Sequence, residues 1–213
     1  MTIQDAYDMF FSQCEESKRA IVEVRKPAYS ANGDLELVRE LTIKQAFLRV
    51  FTEWEHFLEN SIIAFTLDES NIAGYKPTRY IFPVDEDHAN RLIKGNSIYP
   101  DWSDIKQVKE IVFRLFKDGE PYINELNLIN SLFTGMKKVR NVIVHNSIKS
   151  KNEFDTHVRN TLGPAKVGIS PTGFLLSKKG HDPRYYKQYI DCLQSAANHI
   201  CNYQSADTQV ADT

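Results

Sequence analysis

Residues from about Asp34 to Leu67 carry one long helical pattern, and it limits the folds open to this 213-residue chain. Its later part places Ile43, Phe47, Val50, Trp54, Phe57, Leu58 and Phe65 mostly three or four apart. At 100° per residue these side chains form one broad apolar stripe, with Glu53 and Glu55 at its opposite edges. A stripe of this length has to be buried against other elements, and most of the remaining chain is patterned at helical spacing.

The rest of the chain supplies such helices. Apolar and charged residues alternate at helical spacing from Ile3 to about Arg25, and Pro27 ends the run. The turn Ala31–Asp34 follows, with Asp34 as the expected N-cap. Asn71 to Pro83, holding Gly74, Pro77 and Pro83, reads as a loop. A short helix is expected over Asp85–Lys94, and another from Ile105 to Phe116, capped by Ser103 or Asp104 and stopped by Lys117-Asp118-Gly119. Pro121 suits the first turn of a long helix from about Glu120 to His145. Beyond Asn146 the periodicity weakens to a short helix over Glu153–Thr161. The stretch KVGISPTGFLLSKKG reads as two short strands around Pro171, Thr172 and Gly173, a small β-hairpin. A closing helix runs from Asp182 or Pro183 to about Tyr203, with Tyr186, Tyr189, Ile190, Leu193, Ala197 and Ile200 inward. The expected fold is mainly α, an antiparallel helical bundle with a small β-hairpin near the C-terminus. It forms one domain over residues 1–204, with a flexible tail over 205–213.

A formal net charge of -2 lacks the strongly basic balance of many nucleic-acid binders, so any anion site must be local. Three cysteines, Cys14, Cys192 and Cys201, are odd in number and scattered, the pattern of free thiols in a reducing compartment. No CxxC pair or paired metal motif is present, and neither a metal nor another cofactor is expected. The opening MTIQDAYDMFFSQCEE has early acids and no unbroken apolar run, unlike a secretory leader. With no segment near 18 consecutive apolar residues, no membrane span is expected, and the cytoplasm is the expected location.

The local patch is KKVRNVIVHNSIKSK, Lys137 to Lys151, in which six cationic or potentially cationic side chains meet no carboxylate. With Leu126 at 0° on its helix, Ile129, Phe133, Met136, Val139, Val142 and Ile143 cover an arc from about 160° to 340°. Lys137, Asn141, His145 and Lys138 lie at about 20°, 60°, 100° and 120°, facing solvent or a cleft. Arg140, at about 320°, falls inside the apolar arc. A guanidinium cannot be desolvated there without a partner. Either Arg140 pairs internally, with Glu53 or Glu55 as candidates, or the apolar face has reached a cleft or subunit interface by this turn. Asn141 and His145, four apart, are neighbours, so the amide can orient the imidazole. Arg140 and His145 stand about 140° apart. Their convergence would require a loosened helix end or two helices facing across a dimer seam.

These residue types suit metal-free RNA cleavage. Arginine offers a fixed fork of donors to a phosphate and keeps its charge, while histidine exchanges protons near neutral pH. The ribose 2′-hydroxyl is a nucleophile within the substrate. Histidine can deprotonate it or protonate the departing 5′-oxygen while arginine stabilises charge gathering on phosphorus. Lys137, Lys138, Lys149 and Lys151 would hold the flanking RNA backbone. The R-x-x-x-x-H spacing alone is a weak signal; Asn after Arg, a position at a helix end and the missing acids give it weight.

RNVIVH resembles the R-x4–6-H motif of the HEPN superfamily, the higher eukaryotes and prokaryotes nucleotide-binding domains. AFLRVFTEWEHFLENSIIAFTL resembles the aromatic-rich helix that packs on the motif helix in several prokaryotic branches. GFLLSKKG and the closing helix are similar to the ending of some of them, RiboL-PSP-type HEPN proteins being the nearest branch. The resemblance covers roughly Leu37 to Tyr203. It implies a helical bundle and a homodimer with the two motifs facing across a cleft. It also implies a metal-independent endoribonuclease leaving a 2′,3′-cyclic phosphate and a 5′-hydroxyl. By the same resemblance the protein would be a toxin or effector in toxin–antitoxin or antiviral defence, with an antitoxin or other defence-system protein as partner. Arg140 and His145 would be the catalytic pair and Asn141 the supporting polar position. The alternative is a catalytically inactive HEPN-like module that binds RNA, a nucleotide or a protein.

Other candidates read as structural. His56, in EWEHFLE, stands near acids that could suggest a metal, but a solvated helix face accounts for it. His88, His157 and His199 read as surface or boundary residues, and His181 as part of a turn. Tyr185, Tyr186 and Tyr189 could stack on bases, but a row at this spacing is usually core. Ser12, Ser147 and the cysteines lack a base with an orienting partner.

Overall fold

The computed structural model describes residues 1–30, 33–94 and 100–205. Among the described residues eight α-helices dominate: α1 Ile3–Glu23, α2 Gly33–Thr66, α3 Glu86–Lys94, α4 Ile105–Leu115, α5 Ile123–His145, α6 Ile148–Leu162, α7 Pro171–Leu176 and α8 Tyr185–Cys201. Single 3-10 turns occupy Pro27–Ser30, Lys117–Gly119 and Pro164–Lys166. The described residues form no strand, and only an isolated bridge joins Arg79 to Phe116. The chain is thus mainly α-helical, as the apolar spacing requires.

The expected hairpin is replaced by α7. Ser170 caps this helix by accepting from the Gly173 amide at 3.0 Å, and Pro171 occupies its first turn. Ser-Pro is a helix start here, not the apex of a turn, because proline's fixed φ suits a first turn whose amides have no partner. Burial of Thr172, Phe174 and Leu175 holds this short helix in place. Other boundaries moved as well: Asp34, the expected N-cap, lies inside α2, and α8 starts at Tyr185 instead of Asp182 or Pro183. Pro121 precedes α5, which begins at Ile123, and α6 starts at Ile148, five residues before its expected start. Of the expected tail, residues 206–213 lie outside the described residues.

The chain divides into two compact units, and α1, α2, α5 and α8 each contribute residues to both. The first comprises Met1–Phe11, Trp54–Asn130 and Gln194–Thr213. Its core is aromatic: the Phe10 and Phe57 rings lie 5.5 Å apart, as do those of Trp54 and Phe57, and Phe65 and Tyr122 meet edge to face at 5.9 Å. The buried Tyr122 hydroxyl donates to Ser61 Oγ at 2.9 Å, and Ser61 donates to the Leu58 carbonyl, so both polar groups are satisfied. In the same unit Asn71 donates to the Tyr203 carbonyl and accepts from the Tyr75 amide, each at 2.8 Å, tying the residues just after α8 to the loop after α2.

The second unit comprises Ser12–Glu53 and Ser131–Leu193 and holds the basic stretch. Phe51 stacks on Phe133 at 5.0 Å, joining α2 to α5. Phe174 of α7 stacks on Tyr185 of α8 at 4.7 Å and meets Phe154 of α6 edge to face at 5.8 Å. Tyr185, Tyr186 and Tyr189 are buried, as expected for a core row. Burying a large apolar side chain contributes about 1.5–3 kcal/mol, so this cluster anchors the short α7.

Candidate functional site

Helix α5 stays helical through His145. Asn146 then adopts the left-handed conformation (φ 44°), and Ser147 caps α6. The cap is reciprocal: Ser147 Oγ accepts from the Ser150 amide at 3.1 Å, and Ser150 Oγ accepts from the Ser147 amide at 2.9 Å. A capping box normally carries Glu or Gln where this chain has Ser150, which is why the sequence pattern hid it. Two residues therefore separate α5 from α6, and His145 ends the first helix.

At this end of α5, Arg140 Nη1 lies 3.2 Å from His145 Nε2 and donates to Asn141 Oδ1 at 3.2 Å. The expected need for a loosened helix or a second copy does not hold. The long arginine stem bridges the 140° between the two positions within one intact helix. A guanidinium has only donors, so Nε2 accepts in this contact and any proton on a neutral ring sits on Nδ1. Arg140 and Asn141 are half-buried and His145 is exposed. Among the described residues Arg140 forms no ion pair with a carboxylate, Glu53 and Glu55 included. Of the two readings of Arg140, the internal pair is thereby removed. The guanidinium sits at the water boundary beside the His145 ring.

The four lysines fall on two helices, Lys137 and Lys138 on α5 and Lys149 and Lys151 on α6. Lys137, at about 20°, falls on the arc between Arg140 and Asn141. The charge of Lys138 is felt at His157 of α6. Lys149 is exposed and lies 3.9 Å from Glu153. Lys151 lines a cavity of about 340 Å³ with Lys44, Val142, Ile143 and Asp155. Val142 and Ile143 point from α5 at about 160° and 260°, away from the Arg140–Asn141–His145 arc.

The sequence also left a packed histidine undetected. His157 is half-buried, with Nε2 3.1 Å from the Tyr189 hydroxyl and its ring 5.1 Å from that of Phe174. Desolvation, with a smaller contribution from Lys138, pushes its pKa down to about 4. The available signal was Gly135, a glycine inside a helical pattern, which marks a close approach. The other nucleophile candidates stay unsupported. Burial pushes the thiols of Cys14 and Cys201 up to about 12, so both remain protonated at neutral pH. His56 and His181 are exposed, and His199 meets Glu125 at 3.1 Å.

Among the described residues no group of three or more His, Cys, Asp or Glu side chains is placed to hold a metal ion. No helix there is long and apolar enough to cross a membrane. Comparisons with protein-family models, curated proteins and solved structures found nothing that matches the chain.

Proposed function

We propose that this protein is a metal-independent endoribonuclease of HEPN type, acting as a toxin or defence effector. The supporting observation is the 3.2 Å contact of Arg140 Nη1 with His145 Nε2, with Asn141 bonded to the same guanidinium nitrogen. An RNA phosphate entering here would draw the guanidinium to its oxygens and release Nε2. His145 then takes the proton of the 2′-hydroxyl, and the 2′-oxygen attacks phosphorus. The bond to the 5′-oxygen breaks, and that oxygen takes a proton back, leaving a 2′,3′-cyclic phosphate and a 5′-hydroxyl. Arg140 stabilises the charge collecting on phosphorus, and Lys137 is the lysine best placed to hold the adjoining backbone. A homodimer and an antitoxin or other defence-system partner belong to the same proposal.

The test is incubation of the purified protein with an RNA pool in EDTA, followed by end-group assay. Cleavage is expected, with losses of about 10²–10⁴-fold in His145→Ala and at least about 10²-fold in Arg140→Ala. Full cleavage by both folded variants would overturn the proposal. The second reading, an inactive HEPN-like binding module, is favoured by the occupied Nε2: with Arg140 donating to it, no free base is offered in this conformation. It predicts RNA binding that weakens on Arg140→Ala, without turnover.

A further inference from the structure

The far end of α6 carries a second cationic site built from three chain segments. Arg159, Asn160 and Thr161 come from its last turn, Lys166 from the 3-10 turn after Gly163, and Lys178 and Lys179 from the loop following α7. Together they line one cavity of about 600 Å³ with no carboxylate in its wall. Among the described residues none of the four cations has an ion-pair or hydrogen-bond partner for its charged head. Neither nearby acid is in this wall: Asp155 lines the separate cavity beside Lys151, and Asp182 follows Gly180 in the chain without lining the cavity.

A helix C-terminus attracts cations, which accounts for Arg159 and Lys166. It does not account for Lys178 and Lys179, brought from another segment into the same uncompensated charge. Like charges gathered without a counter-charge repel, and a bound anion would relieve that repulsion. The backbone is also open to close approach. Gly163 and Gly180 have φ of 93° and 56°, and a Cβ at either would meet nothing within 4 Å. The volume is that of a small-molecule site.

We propose that this cavity binds a compact ligand through an oligophosphate chain, whether of a free nucleotide or of a 5′-triphosphorylated RNA end. The four cations neutralise the chain, the arginine fork takes one phosphoryl group, and Asn160 and Thr161 supply polar contacts at the rim. The site is distinct from the Arg140–His145 pair and does not rest on the ribonuclease reading. Ile148 and Arg159 are 11 residues apart on α6, about 17 Å along the helix.

Calorimetric titration with inorganic tripolyphosphate tests this. One molecule is expected to bind per chain. Lys178→Gln/Lys179→Gln should weaken binding at least about ten-fold, and Arg159→Gln should weaken it similarly. The charge-matched control Lys106→Gln/Lys117→Gln, on the other unit, should change it less than about two-fold. Parallel titrations with ATP and with short RNAs bearing a 5′-triphosphate or a 5′-hydroxyl identify the source of the chain. Absence of saturable binding by every probe, or equal weakening by the control pair, would overturn the proposal. So would equal binding of the two RNAs through these cations, which would mark a track for a strand.

Discussion

The Tyr189 hydroxyl of α8 and Nε2 of His157 of α6 are 3.1 Å apart. Burial raises the Tyr189 pKa, so the phenol keeps its proton and can donate it to Nε2 of a neutral ring. Nδ1 then faces Thr161 Oγ1 at 3.4 Å. Desolvation holds the folded-state pKa of His157 at about 4, below the ordinary 6.5. Between these values the unfolded chain binds more protons. The contribution of His157 to stability is therefore complete above pH 6.5 and is lost as pH falls towards 4. After allowance for solvent screening the loss is on the order of 1–2 kcal/mol. Urea midpoints measured from pH 7 to 4.5 should fall in the native protein and fall less in His157→Gln. The same slope in both would exclude His157 as the source. Asp191, whose carboxyl is held below the usual 3.8, titrates under this window and does not obscure it.

Gly135 explains how His157 reaches that place. A Cβ at residue 135 would stand 2.6 Å from His157 Cε1 and 3.2 Å from the Tyr189 hydroxyl. Alanine is the better helix former by about 1 kcal/mol, so on propensity alone Gly135→Ala should stabilise α5. The clash should reverse the sign, with a net loss of about 1–2 kcal/mol. Placed on His157→Ala, which opens the space, the same substitution should be neutral or stabilising. A double-mutant cycle by urea denaturation reads this coupling directly. Additive effects would show that the imidazole is not what meets the new methyl.

Arg140 and His145 make a different kind of prediction, one of stability unmoved. Removing one member of a buried ion pair costs about 3–5 kcal/mol, because the other charge is left unpaired. Arg140 has no such carboxylate among the described residues, so Arg140→Ala should change the unfolding free energy by about 1 kcal/mol or less. His145→Ala, at an exposed position, should do the same. Calorimetric unfolding of both checks this, and it also makes their RNA-cleavage results interpretable. A drop of several kcal/mol for Arg140→Ala would restore the internal-pair reading.

The helices were legible where apolar residues recur over several turns. The stripe of α2 from Ile43 to Phe65 is buried as its spacing demands, and so is the row Tyr186, Tyr189, Ile190, Leu193 of α8. Starts were harder to read. A serine pair replaced the usual Ser–Glu box at Ser147, and Ser170-Pro171 fitted both a turn and a helix cap, so only the packing of Phe174 decides. At the candidate site, angle alone kept Arg140 and His145 apart. The wheel locates Cβ atoms, whereas an arginine head lies several ångströms beyond its own. The lysines are close in sequence, and the turn at Asn146, whose left-handed form the sequence did not reveal, places Lys149 and Lys151 on α6.

That turn carries the last prediction. Asn146 holds φ 44°, a conformation asparagine tolerates and a β-branched residue resists. It is the left-handed residue that closes α5, and His145 immediately precedes it. Asn146→Gly keeps the conformation without strain and should leave stability within about 0.5 kcal/mol. Asn146→Val should cost about 1–2 kcal/mol, because its side chain meets the preceding carbonyl in this region. Relieving that strain would unwind the final turn of α5 and carry the imbalance into His145. The valine variant should therefore lose RNA cleavage beyond its loss of folded protein, whereas the glycine variant should retain it. Equal cleavage per folded molecule in both would mean that this turn does not govern where the imidazole sits.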